Sequence, residues 1–358
     1  MTPLFRIIRD VIAAEGPISL ARYMELALQH PGYGYYRIND PLGASGDFIT
    51  APEISQMFGE LIGVWLADVW RQSGDPNPFV LLELGPGRGT LMQDVLRATS
   101  KVAGFHQALR LHLLESNAAL RKQQQEKLAA YKPVFVDRLM ELPEMPLLAV
   151  ANEFFDTMPM RQFVKTGKGW CERLVGFEKD ELVFALSPPA PAIQTLVPDE
   201  WREGPEGMVY EISPVSLAIV NHVASHIARH GGAGLVIDYG YATPSGQPTL
   251  QGVADHRFTG VLERPGEVDV TADVDFSALK LIAVHQGAKV AGPANQGAFL
   301  EAMGIGLRAA VLKRHATEEQ AQKIDEDMHR LVDPAHMGIQ FKVLGILSPA
   351  IKETAGFS

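Results

Sequence analysis

Leu81 to Thr90 reads LLELGPGRGT: leucines around one acid, glycines at alternate positions, and a threonine that opens a helical run to Leu96. Leu81, Leu82 and Leu84 predict a buried strand. Gly85, Gly87 and Gly89 then let the backbone bend tightly and approach a ligand without interference from a Cβ atom. Strand, glycine turn and helix in this order build a nucleotide-shaped site, or in the plainest case a packing device. The spacing separates this bend from the dinucleotide fingerprint G-x-G-x-x-G, because the third glycine falls one residue early and Glu83 precedes the first.

The pattern E-x-G-x-G-x-G resembles that of class I S-adenosylmethionine (SAM) methyltransferases, which implies SAM as cofactor. SAM carries no phosphate, so the loop would accommodate its methionine part. Glu83 either accepts from the cofactor ammonium or orients the loop, and Arg88 is either solvated or paired with a carboxylate. Gly85, Gly87, Gly89 and Thr90 complete the expected cradle. Leu109 to Glu115 (LRLHLLE) reads as a second strand with an acid at its carboxyl end. There Glu115 can accept both ribose hydroxyls; the alternative is a charge at a helix start, since Ser116 and Asn117 follow.

The 358 residues, 46% hydrophobic and 21% charged, describe an ordinary globular chain of one large domain with insertions, or of two domains. A formal charge of −10 argues against a broad nucleic-acid surface. Cys171 is the single cysteine, which excludes an intrachain disulfide and a cysteine-based zinc cluster and fits a reducing compartment. No metal site is expected. The N-terminal stretch looks like a folded amphipathic helix and not an export signal, and no apolar run suffices to span a bilayer. A cytoplasmic protein is the expectation.

Leu4 to Ala14 and Leu20 to Leu28 have helical spacing, and His30 to Thr50 is a glycine- and aromatic-rich loop whose Tyr33, Tyr35, Tyr36 and Phe48 either form a lid over a cation or pack the loop against the domain. Ala51 to Arg71 resumes as helix, with Thr50 and Glu53 placed for a capping box. Further strands are expected at Lys132 to Asp137, Pro146 to Phe154 and Ala233 to Tyr239, with helices at Asn117 to Ala130 and Pro214 to His230 between them. Gln162 to Leu186 alternates as a small antiparallel excursion, and Pro188 to Glu206 is a proline-rich connection. Ala288 to Gly292 and Gln340 to Leu347 supply the last two strands, around helices between Gln296 and Leu331. The expected fold is α/β: a Rossmann-like, seven-stranded, doubly wound sheet of the class I SAM-methyltransferase type. An N-terminal helical and loop extension, a small antiparallel insertion and a helical insert before the last strand are added to it. The expected division is residues 1–75, helices and lid loop, and 76–358, the core with insertions at about 160–207 and 295–335. Glu83, Glu115, Asp137, Asn152 and Asp238 all fall at strand ends.

Five blocks carry a closer likeness: GDFITAPEISQMFGE (Gly46 to Glu60), LLELGPGRGT, ANEFFDTMPM (Ala151 to Met160), GLVIDYGY (Gly234 to Tyr241) and DVTADVDFSAL (Asp269 to Leu279). In this order they resemble the MidA-like family of SAM-dependent methyltransferases over most of the chain. The resemblance implies symmetric dimethylation of a protein arginine and, through the mitochondrial members, a respiratory complex I subunit as partner; the lack of a transit-like leader resembles a bacterial member. For a guanidinium acceptor, carboxylates are the natural clamp. Glu153 would bind it and Asp156 would be a second carboxylate, or both would cap a following helix. Asn152 offers an amide at the strand end or is a turn residue, and Asn-x-x-aromatic there is similar to the N-P-P-Y motif of nucleic-acid methyltransferases without its prolines. Asp238 lines the acceptor channel or stabilises the turn before Gly240, His256 is a proton acceptor or an exposed loop residue, and Asp47 and Phe48 contact the cofactor. Two other functions stay open, a SAM-binding assembly protein and a small-molecule methyltransferase. Oligomeric state is not legible.

Overall fold

The computed structural model describes residues 2–38, 50–254 and 257–357. Two compact units share the chain, one from Met1–Pro41, Asp156–Ser216 and Thr243–Asp275, the other from Leu42–Phe155, Leu217–Ala242 and Phe276–Ser358.

The second unit contains the glycine bend. Its strands are β1 (Phe79–Leu84), β2 (Leu109–Leu114), β3 (Val134–Val136), β4 (Leu147–Asn152), β5 (Gly232–Tyr241), β6 (Lys289–Asn295) and β7 (Phe341–Leu347), in the spatial order β6-β7-β5-β4-β1-β2-β3. Strands β3, β2, β1, β4 and β5 pair in parallel, and β7 lies antiparallel between β5 and β6. Every residue of β1 and β4 is buried, which is why these strands read as mostly apolar, broken only by Glu83 in β1 and Asn152 at the end of β4. The order reverses between β1 and β4, and ligands of open α/β sheets bind at such a switch, beyond the carboxyl ends of the strands.

Helix α1 (Gln56–Gln72) packs against α2 (Thr90–Thr99). Gly59 and Gly63, one turn apart, make this possible: a Cβ on Gly59 would come within 2.6 Å of the Asp94 Cβ, and one on Gly63 within 3.0 Å of the Val95 carbonyl. Trp65, Phe79 and Phe105 fill the core beneath. The sequence predicts one helix from Ala51 to Arg71; instead Ala51–Ile54 and α1 are separate. Ser55 is extended, at φ −153° and ψ 137°, and its hydroxyl accepts from the Met57 amide. An N-cap thus begins a new helix where propensity alone would continue the old one. Helix α3 (Ala118–Lys127) follows β2, and α4 (Pro214–His230) precedes β5 as expected.

The expected helical insert comprises Gln296–Ala302, Ile305–Lys313 and Glu318–Val332. Glu60 of α1, only 7% exposed, accepts from Arg97 Nη2 at 3.0 Å and from Arg308 Nε at 2.7 Å, so one carboxylate ties α1, α2 and the insert together.

In the first unit, Gly169–Glu178 pairs antiparallel with Arg161–Thr166, Glu181–Leu186 and Ile18–Ser19, and Val209–Ile212 adds to Arg161–Thr166. Gln251–Ala254 lies antiparallel between Arg257–Thr259 and Asp269–Thr271. Helices Pro3–Glu15 and Leu20–Gln29 contribute Leu4, Ile8, Tyr23 and Met24 to a core shared with Val175, Val268 and Val270. Tyr35 is buried and meets Tyr36 edge-on at 5.1 Å, so these two rings pack their own unit, while Tyr33 is 42% exposed and stacks on His30.

Glu60→Ala is expected to lower unfolding stability by about 1–2 kcal/mol, a modest loss because Arg97 and Arg308 are partly solvated and screened. Limited proteolysis should then cut first between residues 303 and 333. An unchanged cleavage pattern would show that this carboxylate does not hold the insert.

Candidate active site

At the end of β1 the backbone turns through three left-handed glycines, Gly85 at φ +65°, Gly87 at +52° and Gly89 at +73°. Gly89 is the N-cap of α2 and Thr90 its first residue. At Gly85 space is limiting as well as φ: a Cβ there would lie 2.8 Å from the Phe154 ring. This ring belongs to the segment leaving β4, so the bend and the β4 terminus are packed together.

Glu83 is 2% exposed, and among the described residues its Oε2 has no hydrogen-bond partner. Burial, and then the neighbouring Glu115, push its carboxyl up to about 8, against a smaller opposing pull from Lys127. A buried carboxylate oxygen without a donor among the described residues is what a ligand ammonium completes, so the residues present fit the cofactor implied by the bend. Glu115 lies just past β2, half-buried; its Oε1 accepts from the Asn117 amide at 2.7 Å and its Oε2 from Gln124 at 3.2 Å. Burial raises its pKa, with those hydrogen bonds opposing. Asn117 is also the N-cap of α3, accepting from the amides of Ala119 and Leu120, so the helix start does not need the Glu115 charge as its cap.

Asp137 follows β3, exposed and ion-paired with Arg121 of α3. Three side chains of α3 at intervals of three therefore face strand ends: Arg121 also donates to the Glu115 carbonyl at 2.6 Å, Gln124 donates to the Gly87 carbonyl at 2.6 Å, and Lys127 donates to Thr90 Oγ1 at 3.2 Å. Sequence reasoning missed them. The available signal was polar residues at i, i+3 and i+6 of a strongly hydrophilic helix, which by itself describes any solvated face. Glu53 is a further addition. The Thr50 side chain makes no cap, so the expected capping box does not form, and Glu53 Oε1 instead accepts from Thr90 Oγ1 at 2.7 Å.

Past β4, Glu153 sits at φ +49°, a conformation uncommon outside glycine. Its amide donates to the Ile237 carbonyl at 2.9 Å, and its Oε1 accepts from the Ala51 amide and from Asn152 Nδ2, each at 3.0 Å. Asn152 is 9% exposed, and its Oδ1 has no partner among the described residues. The backbone beyond Asn152 runs through turns, so the helix that Glu153 and Asp156 were alternatively expected to cap is not formed.

Asp238, fully buried in β5, accepts from the amides of Phe154 at 3.1 Å, Phe155 at 2.9 Å and Tyr239 at 3.0 Å. The expected turn before Gly240 is not formed, because β5 continues to Tyr241; Asp238 instead fixes the turn after β4. Asp156 falls in the other unit. There its carbonyl accepts from the Ala272 amide, and burial, then Asp269 and Asp156, hold the Tyr36 phenol well above its ordinary pKa while Tyr36 donates to Asp269 at 2.8 Å. Asp47, Phe48 and His256 lie outside the described residues. Glu83, the three glycines, Thr90, Glu115, Asn152, Glu153 and Asp238 are thus joined in one unit, with Gln124 and Glu53 linking them. Among the described residues no group of three or more His, Cys, Asp or Glu side chains could hold a metal ion, and no helix is long and apolar enough to cross a membrane.

Comparison with known proteins agrees with this geometry. Residues 61–294 match the family described as S-adenosyl-L-methionine-dependent methyltransferase. Protein arginine methyltransferase NDUFAF7, mitochondrial, of Mus musculus is 39% identical, over 97% of this chain and 85% of its own length. The protein of the same name in Homo sapiens is 36% identical over 97% and 84%. A crystal structure of a Burkholderia thailandensis protein bound to S-adenosyl-homocysteine superposes with a TM-score of 0.85 and 31% identity, covering 99% of this chain and 93% of that one. With the glycine bend, the strand order and the donor-poor Glu83 carboxylate all in place, the chain belongs to the MidA-like family of SAM-dependent methyltransferases.

Proposed function

We propose that this methyltransferase acts on a protein arginine, with a subunit of a respiratory complex of the complex I type as its substrate. The observation that carries this reading is Glu153: a carboxylate held in a left-handed backbone conformation at the end of β4, its Oε1 accepting from the Ala51 amide and Asn152, one residue before the ring that packs on the cofactor bend. Left-handed non-glycine residues cluster at functional sites. Relatives named for arginine methylation match nearly the whole chain, which supports the same acceptor.

Bound SAM supplies an electrophilic sulfonium methyl and a neutral thioether leaving group, so positioning is the main task left to the protein. Glu83 would receive the cofactor ammonium and Glu115 the ribose hydroxyls, while the alternating glycines admit the methionine part. Asp137 would complete the cofactor side. Glu153 would bind the acceptor guanidinium and orient one nitrogen, and Asn152 would offer its amide oxygen, which has no partner among the described residues, to a bound donor. Asp238 would act through the backbone it holds.

Two outcomes test this. Purified protein given methyl-labelled SAM and a cell lysate should label arginine in a protein, and Glu153→Gln should lower that labelling by about a hundredfold, the typical cost of losing one positioned polar group in an active site, while retaining S-adenosylhomocysteine binding. Label confined to small molecules, or an unchanged rate in the variant, would overturn the proposal. The second concerns protons. A Glu83 carboxyl raised from 4.5 to about 8 is mostly protonated in the free protein at neutral pH; the stability it contributes is present below 4.5 and lost as pH rises through about 8. Pairing with an ammonium needs the ionised form, so binding should release close to one proton near neutrality and tighten as pH rises towards 8. Calorimetry in buffers of different ionisation enthalpy measures this, and Glu83→Gln should abolish the release. Buffer-independent heats in the wild type would remove Glu83 from that role.

A further inference from the structure

Helix α3 is mostly hydrophilic, and only Leu120 and Gln124 of its ten residues are buried. Gln124 has no exposed surface, yet its Oε1 finds no partner among the described residues. A leucine or methionine would fill such a position with no unsatisfied group. What the amide adds is on its other atom: Nε2 donates both to the Gly87 carbonyl, at 2.6 Å, and to Glu115 Oε2, at 3.2 Å. The first partner is the middle of the glycine bend and the second is the carboxylate at the end of the neighbouring strand.

We infer that Gln124 is a positioning residue that locks the methionine side and the ribose side of the cofactor site into one frame, so that the two bind as a unit. The inference rests on the reading that Glu115 receives the ribose. Glu115 Oε1 accepts from the Asn117 amide, its main-chain carbonyl accepts from Arg121, and the Ser116 backbone also bonds the carboxylate; Gln124 is the side chain that ties Oε2 to the glycine bend. The same amide holds the Gly87 peptide, in a segment whose glycines have the widest conformational freedom of any residue. Lys127, one turn further along α3, repeats the tie at Thr90, where the bend becomes helix. Without Gln124, both the carboxylate rotamer and the loop peptide would have to be ordered at the moment of binding, and that ordering lowers affinity.

The test is a double-mutant cycle on the full chain, read as the dissociation constant of S-adenosylhomocysteine by calorimetry. Gln124→Met keeps the volume and removes both hydrogen bonds; it should weaken binding about tenfold with little change in melting temperature. Glu115→Gln should also weaken binding, and in its background Gln124→Met should cost clearly less than in the wild type, because the two residues act through one contact. Strict additivity, or wild-type affinity in Gln124→Met, would overturn the inference. Wild-type affinity in Glu115→Gln would overturn it through its premise, and that result is distinguishable because it withdraws the ribose role itself. Should Gln124→Met fold poorly, Gln124→Asn, one methylene too short to reach both partners, gives the same cycle with polarity kept.

Discussion

The chain reversal between Leu84 and Thr90 is the constraint on which the rest of this site depends. Three alternate residues there hold positive φ, and a residue with a side chain would lose roughly 1–2 kcal/mol at each from backbone sterics alone. At Gly85 the Phe154 ring leaves no room for a Cβ. From that bend the other features follow. The first turn of α2 lies directly after the loop, the Gly87 carbonyl is turned to Gln124, and Thr90 reaches Glu53. A bend that glycine favours throughout, and that has no room for a Cβ at Gly85, is therefore what brings strand ends, a helix start and a polar stripe of α3 to one place.

The second organising fact is how differently the buried acids of this unit are treated. Asp238 has three backbone donors and acts as a structural anchor for the turn after β4. Glu60 has two arginines and acts as a staple. Glu83 lacks a partner for Oε2 among the described residues, and burial followed by the nearby Glu115 charge raises its pKa. An uncompensated buried carboxylate is costly in a free protein, and a cationic ligand removes that cost. Function is thus readable from which acid is left short of donors.

Much of the sheet was legible because its signals are local. Mostly apolar runs marked β1 and β4, alternating glycines marked the bend, and the polar residues near strand ends marked the expected site. The break at Ser55 was not legible, because the competing hydrogen bond to Met57 depends on where the chain must turn. Asp238 was placed at the site but its two readings could not be separated without seeing Phe154 and Phe155 donate to it. Gln124 was invisible for a more general reason: a glutamine on a hydrophilic helix looks solvated until the tertiary fold buries it. Its partners lie 37 and 9 positions away in the chain, so no periodicity records them.

The most direct test of the central claim is calorimetric titration of S-adenosylhomocysteine into the wild-type chain and into Gly87→Val, with circular dichroism and melting temperature recorded for both. A β-branched residue at φ +52° should deform the bend and leave the remainder of the sheet folded. Saturable binding at one site in the wild type and no measurable heat in a folded Gly87→Val is the predicted result. Equal binding by both proteins would contradict the account, since the cofactor would then be held somewhere other than the glycine bend.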